Sequence, residues 1–176
     1  MVSKGERIRA RYDATYDSYD ELYRGEQYEK YFSALRRVPP RGFVLDAGCG
    51  TGLLIEFLSA SRLMERLSGL VCVDYSLNML RLASWRASVS CPEKCLTVYG
   101  NVESLPFSSR VFDSVYSFTV IDLVDDPVSA VNELARVSRG SVVVSVMRAH
   151  GTWRLLERLG ATRIAATGKD YIYLLS

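Results

Sequence analysis

The chain has 176 residues, 48% of them hydrophobic and 24% charged, with a formal net charge of +2. That size and apolar content suit one domain with a buried core and leave no room for a second. No apolar run reaches membrane-spanning length and no signal-peptide pattern opens the chain, so a soluble, cytoplasmic protein without a membrane partner is expected. Of the four cysteines only Cys91 and Cys95 lie close together, and His150 is the sole histidine. That set cannot complete a zinc site, so no metal is expected; free thiols in a reducing compartment are the expectation, with a Cys91–Cys95 disulfide, which an unusual cytosol would allow, the alternative.

Residues 4–23 lack strand character and carry Tyr12, Tyr16, Tyr19 and Tyr23. At about 100° per residue these tyrosines fall within roughly 60° of one helix face. Gly25 is expected to interrupt, with a second helix over 26–37 closed by Pro39-Pro40. The sheet begins at Phe43: strand one over 43–46, a helix over 52–65, strand two over 70–74, and a helix over 76–89 with Ser76 as its N-cap. Strand three follows over 96–99 and strand four over 114–118. Asp126-Pro127 pairs a cap with a first-turn proline and starts a helix that runs to Val137. Strand five covers 141–147 and a short helix 152–159. Two strands, 163–166 and 171–175, are joined through Thr167-Gly168-Lys169-Asp170 as a hairpin. Alternating strands and helices predict a doubly wound α/β sheet, mostly parallel, with helices on both faces.

The most informative stretch is Val44-Leu45-Asp46-Ala47-Gly48-Cys49-Gly50-Thr51-Gly52. An apolar strand ends in an acid, and three alternating glycines then permit a sharp turn and close approach of a ligand to bare backbone. The helix behind offers free N–H groups. A second acid, Asp74, ends the next apolar run, where an acid suits ribose hydroxyls. The turn is one residue shorter than the G-x-G-x-x-G of dinucleotide sites. With Asp74-Tyr75-Ser76-Leu77-Asn78-Met79, then Gly100-Asn101-Val102-Glu103-Ser104-Leu105-Pro106-Phe107, then Phe112-Asp113-Ser114-Val115-Tyr116-Ser117-Phe118, it resembles the ordered motifs of the class I S-adenosylmethionine-dependent methyltransferases, in their small, single-domain, methyltransferase-11/25-like form. The resemblance spans roughly residues 43–148.

That resemblance implies a Rossmann-like sheet of seven strands whose C-terminal hairpin adds an antiparallel strand. It implies one domain over 1–176, in which 1–41 form a helical lid and 42–176 the catalytic core. The implied cofactor is S-adenosyl-L-methionine. Asp46 would sit near its methionine ammonium, and Gly48, Cys49, Gly50 and Gly52 would form the turn against it. Asp74 would hold the ribose. Tyr75 and Met79 would flank the adenine, with Asn101 and the Val102 N–H at its edge. Phe118 would face the methyl, and Tyr12 and Tyr19 are lid residues over the site. Asp122, after strand four, is the nearest candidate base, with Tyr19 a second catalytic candidate. A basic C-terminal stretch, seven cations against Glu157 and Asp170 after residue 135, points to RNA (tRNA or rRNA) as the acceptor. The alternatives are a small metabolite, or a non-catalytic cofactor-binding partner subunit. The apolar third strand suits a small zinc-binding activator that extends the sheet at that edge.

Overall fold

The protein is described by a computed structural model covering residues 2–175. Helices α1 (Lys4–Thr15) and α2 (Tyr19–Leu35) precede a single seven-stranded sheet. Its strands are β1 (Gly42–Ala47), β2 (Leu67–Asp74), β3 (Cys95–Tyr99), β4 (Phe112–Phe118), β5 (Ser138–Met147), β6 (Thr162–Ala166) and β7 (Asp170–Leu175). The spatial order is β3-β2-β1-β4-β5-β7-β6. The first five strands are parallel, while β7 runs antiparallel to both β5 and β6. The connecting helices are α3 (Leu53–Ala60), α4 (Leu77–Ser90), α5 (Pro127–Val137) and α6 (Trp153–Arg158).

Successive strand residues point to opposite faces, so the apolar runs fill two cores. Val44, Leu70 and Tyr116 pack with α2, α3 and α4 on one side. Leu45, Val71 and Val115 pack with α5 and α6 on the other. The strand order reverses between β1 and β4, which opens a crevice at the carboxyl ends of the strands. Among the described residues, no helix is long and apolar enough to cross a membrane.

Several boundaries differ from the expected ones. Gly25 does not interrupt: α2 runs through it, and the break falls at residues 16–18. A helical glycine costs about 1 kcal/mol against alanine. Here α2 is held from its inner face by the buried Gln27, Lys30, Tyr31, Ala34 and Leu35. The helix after β1 stops at Ala60, and a separate 3₁₀ turn covers Met64–Arg66. β5 starts at Ser138 rather than Ser141, because Gly140 is there for close approach: a Cβ would fall 2.1 Å from the Asp113 carbonyl oxygen. Cys91 and Cys95 are joined in a disulfide, not free. The tight turn between α4 and β3 sets their Cα atoms 5.5 Å apart, well within bridging range. Cys49 and Cys72 are free and buried.

One buried ion pair ties α2 to the sheet. Lys30 is 0% exposed, and its ammonium donates to Thr119 Oγ1 at 2.6 Å and pairs with Asp170 at 3.2 Å and Glu26 at 3.0 Å. Asp170, equally buried, also accepts from the Ser145 hydroxyl at 2.9 Å. Lys30→Met would leave Asp170 an uncompensated buried charge and is expected to cost about 3–5 kcal/mol. Adding Asp170→Asn should recover much of that loss, read as the shift in urea midpoint at unchanged m-value.

Candidate functional site

The turn after β1 is bound to its neighbour before any ligand arrives. The Gly48 and Cys49 N–H groups both donate to the Val73 carbonyl, at 2.8 and 2.9 Å. Gly48 has φ +82°, and a Cβ there would lie 2.2 Å from Val120 Cγ2. Gly50 has φ +54° with open space on its Cβ side. Gly52 serves packing, since a Cβ there would press on the backbone of Ala83 in α4. The Gly50 N–H donates to Asp74 Oδ2 at 2.7 Å and the Ser76 N–H to Asp74 Oδ1 at 2.8 Å. One carboxylate therefore pins the glycine turn and the start of α4, and each oxygen keeps a lone pair for a ligand hydroxyl. Burial pushes the Asp74 carboxyl up, and these backbone N–H groups hold it down.

A cavity of about 310 Å³ opens beside this turn. Gly48, Gly50, Asp74, Tyr75, Met79, Asn101, Val102, Phe118, Tyr12 and Tyr19 all line it. Tyr75 stacks on Tyr99 at 5.6 Å, and the Arg9 guanidinium lies 5.1 Å above the Tyr75 ring. Asn101 Oδ1 accepts from the Glu103 N–H at 3.0 Å, in a local turn that fixes the side chain.

A smaller recess of about 20 Å³ adjoins the turn, bordered by Asp46, Tyr19, Gln27, Cys49 and Phe118. Asp46 is 3% exposed, and burial, with Asp74 adding a like charge, pushes its carboxyl up to about 8. Gln27 donates to the Tyr19 hydroxyl at 3.2 Å, and its own Oε1 is buried without a partner. Two unspent acceptors converge here, so the recess fits a group rich in N–H donors, such as an amino acid's ammonium. A methionine moiety at this end, with its ribose at Asp74, matches the donor set that S-adenosylmethionine presents.

The remaining candidates fall in different places. Cys49 borders the recess, but its thiol is buried beside Cys72, which together with burial pushes it up. Burial likewise raises the Tyr19 phenol far above its ordinary value, and its hydroxyl accepts from the Gln27 amide. Asp122 does not line the cavity. It is buried toward β5, where Oδ2 accepts from the Met147 N–H at 2.6 Å, while Oδ1 is buried without a partner.

Helix α1 roofs the cavity with Gly5, Glu6, Ile8, Arg9 and Tyr12. The Lys4 ammonium donates to the Asp122 carbonyl at 2.8 Å, and the Gly5 N–H to Asp125 at 2.9 Å. At the other end Asp13 accepts from the Ser76 hydroxyl, and the Asn78 amide donates to the Asp13 carbonyl at 3.0 Å. Behind the turn, Arg86 donates to the Thr51 carbonyl and pairs with Asp20 of α2 and Glu56 of α3. Arg9 and Arg86 carried no motif signal, and their partners lie far away in sequence, whereas Gln27 follows the tyrosine stripe on its own helix, eight residues after Tyr19.

Comparison with known proteins agrees with this geometry. Residues 45–144 match the family model described as "Methyltransferase domain". The chain is 31% identical over 153 residues to the demethylmenaquinone methyltransferase of Bacillus licheniformis, covering 81% of this chain and 63% of that one. It is 34% identical over 109 residues to an uncharacterized chloroplastic methyltransferase of Arabidopsis thaliana, covering 59% of this chain and 30% of the relative. The chain thus spans only part of the relatives it matches. Among solved structures, a SAM-dependent methyltransferase from Aquifex aeolicus superposes with a TM-score of 0.74 at 16% identity, over 92% of this chain and 96% of that one. A Haloferax volcanii putative methyltransferase, solved in complex with the Trm112 methyltransferase activator, superposes with a TM-score of 0.67 at 24% identity, over 77% and 59%.

The Asp46 carboxyl yields a pH test. Its raised value means that the free protein binds an extra proton between about pH 4 and 8, so its contribution to stability is present below that window and lost as pH rises through it. A ligand ammonium favours the charged form. Affinity for S-adenosylhomocysteine, measured by calorimetry, is therefore expected to tighten by up to about tenfold per unit from pH 6 to 8 and then level off. Asp46→Asn should abolish the slope.

Proposed function

The chain belongs to the class I S-adenosylmethionine-dependent methyltransferase family, and we propose that it is an active enzyme transferring the cofactor's methyl group to an acceptor held under α1. The observation that carries this reading is the pair of unspent acceptors, Asp46 and Gln27 Oε1, at one end of a site that has Asp74 at the other. When bound, the cofactor would supply a methyl on a sulfonium for the acceptor's lone pair to take, with the carbon–sulfur electron pair returning to sulfur and any proton displaced from the acceptor passing to water.

The leaving group is neutral, so the residues mainly have to orient and exclude water. Asp74 would take the ribose hydroxyls through its free lone pairs. The Val102 N–H and Asn101 would meet the adenine edge, with Tyr75 and Met79 against its faces. Tyr12 and Tyr19 would close over the methionine end beside Phe118. The arrangement needs no base at Asp122.

A second reading concerns a partner. β3 is one of the two edge strands of the sheet, and Leu96 on it is 61% exposed, with Trp85 (62%) and Val89 (66%) exposed on α4, the helix packed against it. This apolar edge, together with the activator-bound Haloferax neighbour, supports docking of a small zinc-binding activator by strand addition. Leu96→Asp is expected to abolish co-elution with a co-expressed Trm112-type activator while leaving S-adenosylhomocysteine binding intact.

Calorimetry should show S-adenosylhomocysteine binding and no NAD binding. Asp74→Ala should weaken it by about 1.5–3 kcal/mol per lost charge-assisted bond, and Asn101→Ala by only about 0.5–1.5 kcal/mol. Binding of NAD in place of S-adenosylhomocysteine would refute the assignment.

A further inference from the structure

We propose that the methyl acceptor is a small, mostly apolar molecule without negative charge, taken whole into a chamber between α1 and the β4–α5 segment, rather than a nucleotide of an RNA. The inference rests on the methyltransferase reading and adds the acceptor's chemical class.

The cavity has two unlike parts. One carries Asp74, Asn101 and the glycine turn, which suit a nucleoside and an amino acid. The other is walled by Val120, Leu123 and Val124 from the segment after β4, and roofed by Ile8 from α1. The Val120 methyls press directly on Gly48, so the apolar wall begins at the cofactor turn itself. Polar side chains bordering this part each have at least one acceptor taken up within the protein. The Thr119 hydroxyl bridges Lys30 and Asp170, at 2.6 and 2.8 Å. Asp125 accepts from the Gly5 N–H, and Glu6 from the Ser3 N–H at 3.0 Å. A nucleobase read in a pocket presents a row of donors and acceptors that need partners, and hydrocarbon walls leave them unpaired.

Charge and access agree. Glu6 and Asp125 place carboxylates at the chamber. Arg9, the one basic residue lining the cavity among those described, sits over Tyr75 at the nucleoside end. Arg7 and Arg11 are exposed and do not line it. A polyphosphate chain binds through several cations facing its path, and this mouth sets two carboxylates beside the single Lys4 ammonium, which is already tied to the Asp122 carbonyl. It is also crossed by a helix tied down at Lys4 and Gly5 on one side and at Asp13 on the other. A small molecule passes when one tie opens, whereas a polymer would have to displace the whole helix.

The test uses S-adenosylhomocysteine-loaded protein and the neutral fluorophore N-phenyl-1-naphthylamine, with 8-anilino-1-naphthalenesulfonate as an anionic counterpart. The neutral probe should bind, and the anionic one about tenfold more weakly or worse. Ile8→Trp and Leu123→Trp, which fill the chamber, should each weaken the neutral probe about tenfold while changing the S-adenosylhomocysteine dissociation constant by less than about twofold. With methyl-labelled cofactor and a cell extract split into an organic-soluble small-molecule fraction and an RNA fraction, label should enter the first. Nuclease-releasable label in RNA, equal binding of the two probes, or neutral-probe binding untouched by both tryptophans would overturn the acceptor class alone. Failure of the wild type to bind S-adenosylhomocysteine would instead strike the methyltransferase reading.

Discussion

Two carboxylates at the tips of adjacent strands, Asp46 buried and Asp74 half-buried, with no cation paired to either among the described residues, are the constraint around which this molecule is arranged. Asp46 is the last residue but one of β1 and Asp74 ends β2, and the Asp74 charge raises the cost of charging Asp46. Buried acids of this kind weaken a free fold unless they are neutralised or hydrogen-bonded. The two are treated differently. Asp74 takes two backbone N–H groups and remains fixed. Asp46 takes none and is pushed up to about 8. The cations nearby are directed elsewhere, Lys30 to Asp170 and Glu26, and Arg86 to Asp20 and Glu56. The site thus keeps an acid unspent, at a standing cost in stability that a ligand ammonium beside it would offset.

The same economy separates the two N-terminal helices. α2 is anchored by the buried Lys30 and by Arg86, and it carries Tyr19 and Gln27 to the closed end of the site. α1 has no buried residue and is held by a few hydrogen bonds at its ends. Segments with little buried apolar surface open at low cost. The wall bearing the methionine end is therefore rigid, and the roof over the acceptor side is the part able to move.

Much of the architecture was legible because its signals are local. Ser76 caps α4 through the Met79 N–H at 3.2 Å, and Asp126 caps α5 through Val128 and Ser129 at 3.0 and 3.2 Å. Strand alternation, the glycine turn and the terminal hairpin are likewise short-range patterns. What could not be read depends on distant partners. Gly25 looks like a break until the buried face of α2 is known, and Gly140 looks like a turn until Asp113 is seen beside it. Gln27 became a site residue only when α2 folded over β1. Asp122 was singled out by its place after β4, and its contact with the Met147 N–H on β5 could not be read from the sequence. The Cys91–Cys95 bridge runs against the expectation drawn from compartment chemistry, because the α4–β3 turn alone brings the two together.

The strained point at the tip of β4 completes the division between wall and roof. Thr119 has φ +59°, a left-handed conformation that costs a non-glycine residue roughly 1–3 kcal/mol. It is held there from every side: its N–H donates to Ser145, through the hydroxyl at 2.9 Å and the carbonyl at 3.1 Å, while its hydroxyl joins Lys30 and Asp170. The turn swings Val120 onto Gly48 and starts the apolar wall. Transfer from a neutral leaving group gains little from acids and bases and much from a fixed line of attack. The buried polar cluster beneath Thr119 supplies that rigidity without entering the chamber. Specificity then resides in the hydrocarbon wall that the cluster holds still, and access in the lightly tied helix above it.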